Sequence, residues 1–179
     1  MRNRFVFFLA ILAIAAGMIL AAPMTQEQGK AQAGPLDKSV FAAVVSLAHY
    51  GVFDSISFKI DGNDVILVGQ VMLPITKDEA GRRVAKIPGI GKVKNDIEVL
   101  PLSLNDDSIR INIYRNLFNT ADLYKYAVGP MPSIHIIVKN GRVTLEGYVL
   151  NEQDIKIANM AVREVPGQFS LTNNLKIAK

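Results

Sequence analysis

The chain has 179 residues, of which 50% are hydrophobic and 20% charged, and its formal net charge is +4. That length suits one medium domain or two small ones, and the weak positive charge argues against a protein dedicated to nucleic acid. With no cysteine and only two histidines, the chain has no disulfide framework, thiolate nucleophile or cysteine-based zinc site. We therefore expect no bound metal and no cofactor.

The N-terminus has the pattern of an export signal. Arg2 and Arg4 precede an uninterrupted apolar run of 18 residues from Phe5 to Ala22. This length suits the hydrophobic region of a signal peptide or a membrane anchor. We expect residues 1–33 to be a cleaved signal peptide or a retained anchor followed by a linker, and the rest to be exported to the periplasm or cell envelope.

The remainder of the chain contains an internal duplication. At a constant offset of 78 positions, ISFKIDGNDVILVGQV from Ile56 aligns with IHIIVKNGRVTLEGYV from Ile134. At the same offset, AGRRVAKIPGIGKVKNDIEV from Ala80 aligns with ANMAVREVPGQFSLTNNLKI from Ala158. A constant offset indicates two copies of one unit. The sequence predicts a first domain over residues 34–101, called copy one, and a second over residues 102–179, called copy two.

Each copy begins with a helical pattern and continues into a β-hairpin. The predicted first helices are Leu36–Gly51 and, with a break near Asn119, Asp106–Ala127. Alternating apolar residues then flank the turn sequences DGND and KNGR, which favour tight hairpin turns. Gly69 and Gly147 interrupt the second strands of the hairpins, where a glycine indicates close packing. The close neighbour is either backbone or a helix, and at Gly147 we expect that a side chain would push the hairpin away from a covering helix.

A second helix and a third strand complete each copy. In copy one, Thr76 and Glu79 have the spacing of a capping box, which predicts a helix start there. Apolar residues at helical spacing follow in both copies, and afterwards the period changes to two. Turn residues end the two helices, namely Pro88, Gly89, Pro166 and Gly167. The predicted fold class is α+β, with two tandem small domains, each helix-strand-strand-helix-strand with a three-stranded mixed sheet covered by two helices.

The segment KIPGIGKVKNDIEV, from Lys86 to Val99, also fits the hairpin of a helix-hairpin-helix DNA-binding motif. Such a motif needs a second helix after the glycines, whose backbone amides approach a phosphate. Residues after Gly91 alternate with a period of two instead of 3.6. We therefore predict a strand at this position and no nucleic-acid partner.

The order of elements, with VTLEGYV in the second hairpin and VPGQFSLTNNLKI at the end, resembles the BON domain of the osmotically inducible periplasmic protein Y family. The resemblance covers Leu36 to Lys179. It implies a non-catalytic envelope protein that binds phospholipid surfaces or other envelope proteins. The shared residues are turn glycines and core aliphatics, so the resemblance assigns no ligand-binding residue.

Two groups of residues are candidates for lipid contact. A basic group occurs in copy one alone and consists of Arg82, Arg83, Lys86, Lys92 and Lys94. An aromatic group with one lysine consists of Tyr124, Lys125 and Tyr126. Cations attract anionic headgroups, and tyrosine suits a membrane interface. The competing interpretations are a solvated helix face for the basic group and core packing for the tyrosines.

No set of residues in the sequence has the spacing of a catalytic site. His49 and His135 stand apart from any acid or hydroxyl pattern that would make a nucleophile or a ligand set. We therefore expect no enzymatic activity and name no catalytic residue. The predicted function is binding of membrane phospholipid, and the alternative is a protein–protein adaptor or chaperone-like assembly module of the envelope.

Overall fold

The computed structural model of the protein describes residues 34–128 and 131–178. The predicted export segment, residues 1–33, lies outside them. The described residues belong to one compact unit, which contains both hydrophobic cores. Because the described members of both cores lie after Gly34, we expect the segment 34–179 to fold by itself. In the two described ranges, no helix has the length and hydropathy needed to cross a bilayer.

Copy one contains two helices and three strands: α1 Pro35–Val45, β1 Ser55–Asp61, β2 Asp64–Val71, α2 Pro74–Val84 and β3 Val93–Val99. Copy two follows the same order: α3 Leu104–Asn119, a 3₁₀ turn Tyr124–Tyr126, β4 Ile134–Lys139, β5 Arg142–Val149, α4 Glu152–Arg163, β6 Ser170–Asn173 and β7 Lys176–Ile177. This order confirms the predicted α+β fold of two tandem domains.

The duplication extends to the register of the strands. In each copy the hairpin is antiparallel, and the last strand pairs in parallel with the second strand of the hairpin. The pair Ile56–Gly69 recurs as Ile134–Gly147, 78 positions later. In copy two the third strand is interrupted, because β6 and β7 both pair with β5 on either side of residues 174–175. The strand β3 occupies the place where a helix-hairpin-helix motif needs its second helix, so that alternative is wrong.

One face of each sheet packs against the two helices of the same copy. Because side chains alternate along a strand, Val65, Leu67 and Val71 all point to this face, and all three are fully buried. They contact Val40 and Val44 of α1 in one apolar cluster. Copy two repeats the arrangement with a larger cluster, whose strand residues include Ile134, Ile136, Val138, Val143, Leu145 and Val149.

The start of α2 differs from the sequence prediction. Leu73 is the N-cap and Pro74 the first helical residue, where the fixed φ of proline suits a helix start. Thr76 therefore lies inside the helix, and its buried hydroxyl has no hydrogen-bond partner among the described residues. Glu79 binds Arg83 at 2.9 Å instead of closing a capping box. The predicted capping box is wrong because the N-cap is Leu73, three residues before Thr76.

The hairpin of copy two is hydrogen-bonded to side chains of α3. Its turn residues Asn140 and Gly141 have positive φ angles of 52° and 72°, as a type I′ turn requires. The backbone N–H groups of both residues donate to the buried carboxylate of Asp106, each at 2.8 Å. Arg110 is buried in the same region and donates to the carbonyl of Val138 on β4. The first turns of α3 thus satisfy backbone groups at the edge of the sheet.

Gly69 and Gly147 closely approach backbone, which is one of the two interpretations that the sequence left open. Their φ angles are 130° and 116°, a region that other residues rarely adopt. A Cβ atom on Gly147 would lie 2.0 Å from the carbonyl oxygen of Ser133, and one on Gly69 would lie 2.0 Å from that of Ser55. The covering helix expected at Gly147 is therefore wrong, and both glycines allow close approach between backbone segments.

We expect Gly147→Ala to lower the free energy of unfolding of copy two by about 2–4 kcal/mol, because the new Cβ combines a strained φ with a backbone clash. Urea denaturation of the segment 34–179 measures this loss. Gly62→Ala is the matched control, since Gly62 also has a positive φ of 60° but has no atom within 4 Å of an added Cβ. It should cost only about 1 kcal/mol. Equal effects of the two substitutions would contradict the clash.

Candidate functional site

The structure separates the predicted basic group into paired and exposed residues. Arg83 binds Glu79 and donates to the carbonyl and hydroxyl of Ser46, so it connects α2 to the end of α1. Lys94 binds Asp96 at 2.6 Å. The other three residues of the basic group are exposed and make no ion pair within the described residues, and we call them the copy-one cations: Arg82, Lys86 and Lys92. They lie at the C-terminal end of α2 and in the turn that follows it.

The aromatic group is also divided. Tyr124 is 62% exposed, whereas Tyr126 is only 6% exposed and belongs to the core of copy two. The hydroxyl of Tyr126 donates to Asp154 and accepts from the backbone N–H of Leu150 at 2.7 Å. The sequence prediction of Tyr126 as a lipid contact is corrected, because its ring is covered by the core and its hydroxyl is occupied.

Lys125 is tied to the same carboxylate. Its ammonium lies 2.9 Å from Asp154. This contact raises the pKa of Lys125, and burial followed by the bond to Asp154 raises the pKa of Tyr126. For Asp154, burial opposes ionisation, but hydrogen bonds from Tyr126 and Lys125 prevail and lower its pKa. The three side chains therefore form a structural cluster at the N-terminus of α4, with Lys125 still partly exposed.

The predicted turn residues occupy equivalent positions in the two copies. Pro88 and Gly89 follow α2, and Pro166 and Gly167 follow α4. Both glycines have a φ of 90°, which a residue with a side chain rarely adopts. These residues redirect the chain from helix to strand and carry no side-chain chemistry. Among the described residues, no cluster of His, Asp and Glu has the geometry to hold a metal ion.

The two copies contact each other through the sheet face of copy two that its own helices leave uncovered. His135, Ile137 and Lys139 alternate on this face of β4. The imidazole Nδ1 of His135 donates to the carbonyl of Gly51 at 3.2 Å, so that nitrogen carries the proton. Ile137 is 2% exposed, and Lys139 binds Glu98 of copy one at 2.5 Å.

Residues 50–54 of copy one form the other side of this contact. The backbone N–H of Ile136 donates to the carbonyl of Val52 at 2.8 Å. The ring of Phe53 lies edge-on to that of Tyr114, with 6.1 Å between centroids. Asp54 is buried and accepts from the backbone N–H groups of Gly51 and Met72 at 2.9 and 2.7 Å. The segment is thus fixed to both copies by backbone and side-chain bonds.

Burial at this contact shifts two pKa values in opposite directions, downward for His135 and upward for Asp54. Desolvation lowers the pKa of His135, although hydrogen bonds to residues 51 and 54 partly oppose the shift. Desolvation also raises the pKa of Asp54, although the amides of Met72 and Gly51 partly oppose it. In both groups the interior favours the neutral form.

A cavity of about 380 Å³ lies between the copies, beside this contact. Its lining includes apolar groups of α1 and of residues 131–132, together with His135, Glu146 and Lys176. The sequence analysis did not identify any of these as functional residues. One signal was available, because copy one has Ser57, Lys59 and Asp61 at the positions of His135, Ile137 and Lys139. Ile137 is apolar where copy one has the charged Lys59, which indicates that this sheet face is covered in copy two and exposed in copy one.

Comparison with known proteins defines the class of protein. The helix-strand-strand-helix-strand unit is present twice in the described residues. The sequence profile described as BON domain matches residues 51–101 and again residues 105–179. The chain therefore belongs to the BON-domain family. That family is generally non-enzymatic and is typically periplasmic or associated with the cell envelope.

Other comparisons add little. No curated protein matches the sequence. Among solved structures, the C-terminal domain of CdsD, the structural protein of the type III secretion system of Chlamydia trachomatis, is similar at 14% identity and a TM-score of 0.31, over 80% of this chain and 64% of that one. A second structure of CdsD gives 12% identity and a TM-score of 0.29, over 80% and 93% of the two chains. The chain spans about 64% of the first of these structures.

We expect the contact between the copies to weaken as the pH falls through 6.5, the usual pKa of histidine. Because the pKa of His135 is lowered in the folded protein, the unfolded chain takes up the proton first, and stability decreases with falling pH. The raised pKa of Asp54 has the opposite sign, since its protonation favours the folded state. The substitution His135→Gln should therefore reduce the loss of stability between pH 7.5 and 5.5.

Urea midpoints of the segment 34–179 at the two pH values measure this effect. His49→Gln, which removes the other histidine, is the matched control. An identical loss of stability in the wild type and in His135→Gln would contradict the burial of this imidazole between the copies.

Proposed function

We propose that the protein binds anionic phospholipid surfaces in the cell envelope. The proposal is supported by its family, since BON domains are associated with envelope and membrane binding. The observation that carries it is the group of copy-one cations, which are exposed and have no acidic partner among the described residues. Unpaired cations at one end of a small domain are available to phosphate groups.

Comparison between the copies supports a binding surface on copy one alone. The positions of the copy-one cations are occupied in copy two by Met160, Glu164 and Ser170. Each lysine or arginine near an anionic membrane contributes about 1 kcal/mol, and the attraction decays within a Debye length. Copy one is therefore the half that faces the membrane. Tyr124, which is 62% exposed, offers a second contact whose ring and hydroxyl suit the interface.

A protein–protein adaptor is the second candidate. Leu102 and Leu104, between the copies and at the start of α3, are 94% and 88% exposed. On the uncovered sheet face of copy one, Val68 is 42% exposed. Such exposed aliphatic side chains favour a protein partner over a headgroup surface. In this alternative the copy-one cations are a solvated helix face.

The test replaces the copy-one cations together by glutamine. Arg83 stays unchanged because it connects α2 to α1, and Lys94 because it binds Asp96. We expect binding of the segment 34–179 to vesicles of equal phosphatidylglycerol and phosphatidylcholine to weaken by about 2–3 kcal/mol at low salt. The loss should shrink at 0.15 M salt, where the Debye length is about 8 Å. Co-sedimentation at the two salt concentrations measures it.

Lys38, Lys59 and Arg142 are exposed elsewhere and make no ion pair in the part of the chain described, so their replacement by glutamine is a charge-matched control. The control variant should retain most of the binding. Equal losses in both variants would show that net charge and not this surface attracts the membrane. Absence of binding by the wild type at low salt would favour the adaptor.

A further inference from the structure

The cavity between the copies has a volume within the range of small-ligand pockets, which occur preferentially at domain interfaces. Its walls come from both copies. The apolar side chains are Phe41, Val45 and Ile56 of copy one and Met131, Pro132 and Tyr148 of copy two. Phe41 and Tyr148 remain 60% and 55% exposed, so apolar surface continues to the mouth. An apolar ligand would cover surface that the protein leaves in contact with water.

One wall of the cavity carries an anion and a cation. Tyr148 of β5 pairs directly with Lys176 of β7, and Glu146 lies two residues before Tyr148 on the same sheet face. The carboxylate of Glu146 accepts from the amide of Asn174 at 2.8 Å. Neither Glu146 nor Lys176 makes an ion pair within residues 34–128 and 131–178. Glu146 and Lys176 therefore present opposite charges at diagonal positions on this wall, where a ligand could contact both.

Copy one cannot form an equivalent wall. The positions of Glu146 and Lys176 are taken there by Val68 and Glu98. Glu98 is already bound to Lys139 and to the amide of Gln70, which lowers its pKa. The charge pair is therefore specific to the cavity and does not follow from the duplicated fold.

We propose that this cavity binds a zwitterionic amphiphile with a phosphoethanolamine headgroup. The ammonium donates to Glu146, the phosphate lies at Lys176, and the start of the apolar chain packs between Phe41, Ile56 and Tyr148. A phosphocholine group has no N–H to donate to Glu146, and a phosphoglycerol group has no cation. The site goes beyond the anionic surface proposed above, because it uses other residues and distinguishes between headgroups.

Short-chain lipids that stay monomeric test this site without vesicles. We expect the segment 34–179 to bind dihexanoyl-phosphatidylethanolamine about tenfold more tightly than the phosphatidylcholine or phosphatidylglycerol of the same chain length, since a charge-assisted hydrogen bond distinguishes them. Isothermal titration calorimetry measures the three dissociation constants. Equal affinities for the three lipids, or no binding of the phosphatidylethanolamine, would overturn the proposal.

Two variants assign the contacts. Glu146→Gln should abolish the preference for phosphatidylethanolamine and leave the weaker binding of phosphatidylcholine, whereas Lys176→Gln should weaken all three lipids. Unchanged urea midpoints establish that both variants fold. The variant lacking the copy-one cations is the control and should keep the preference. Retention of the preference for phosphatidylethanolamine in Glu146→Gln would overturn the proposed cavity site. Loss of vesicle binding without loss of this preference would bear only on the anionic lipid surface of copy one.

Discussion

The arrangement of the two copies depends on the contact between β4 and residues 50–54. A backbone hydrogen bond from Ile136 to Val52 sets the distance, and the bond from His135 to Gly51 sets the orientation. Ile137, on the same face of β4 as His135, adds a buried apolar side chain. Backbone bonds are directional and short, so this contact defines one relative position of the copies. The cavity beside it is lined by residues of α1 and β5.

The duplication has kept the core and changed the surfaces. Both copies bury the same strand positions under two helices, because burial of aliphatic side chains supplies most of the stability of so small a unit. Outside the core the copies diverge in charge. Copy one has cations after its second helix, while copy two has neutral and acidic residues there. A protein with two identical folds thereby presents two different surfaces to its surroundings.

The copies also satisfy one backbone requirement by different chemistry. The N–H group of Met72 donates to the Asp54 carboxylate, and the equivalent N–H of Leu150 donates to the Tyr126 hydroxyl. Both groups precede a helix, where a buried unpaired amide would be costly. In copy two this use of Tyr126 removes a tyrosine from the surface and places it in the core. The hydrogen bond that the N–H group of Leu150 requires thus accounts for the buried position of Tyr126.

Residue patterns alone predict the fold and the order of its elements, because the apolar periods and the turn residues are local and occur twice. The sequence also limited the chemistry, through the absence of cysteine and of any catalytic spacing. Which cations remain accessible depends on contacts formed in the folded protein, since Arg83 and Lys94 carry the same charge as Lys86 but have acidic partners. The cavity with Glu146 and Lys176 is likewise a product of packing, because its walls come from residues more than 100 positions apart in the chain.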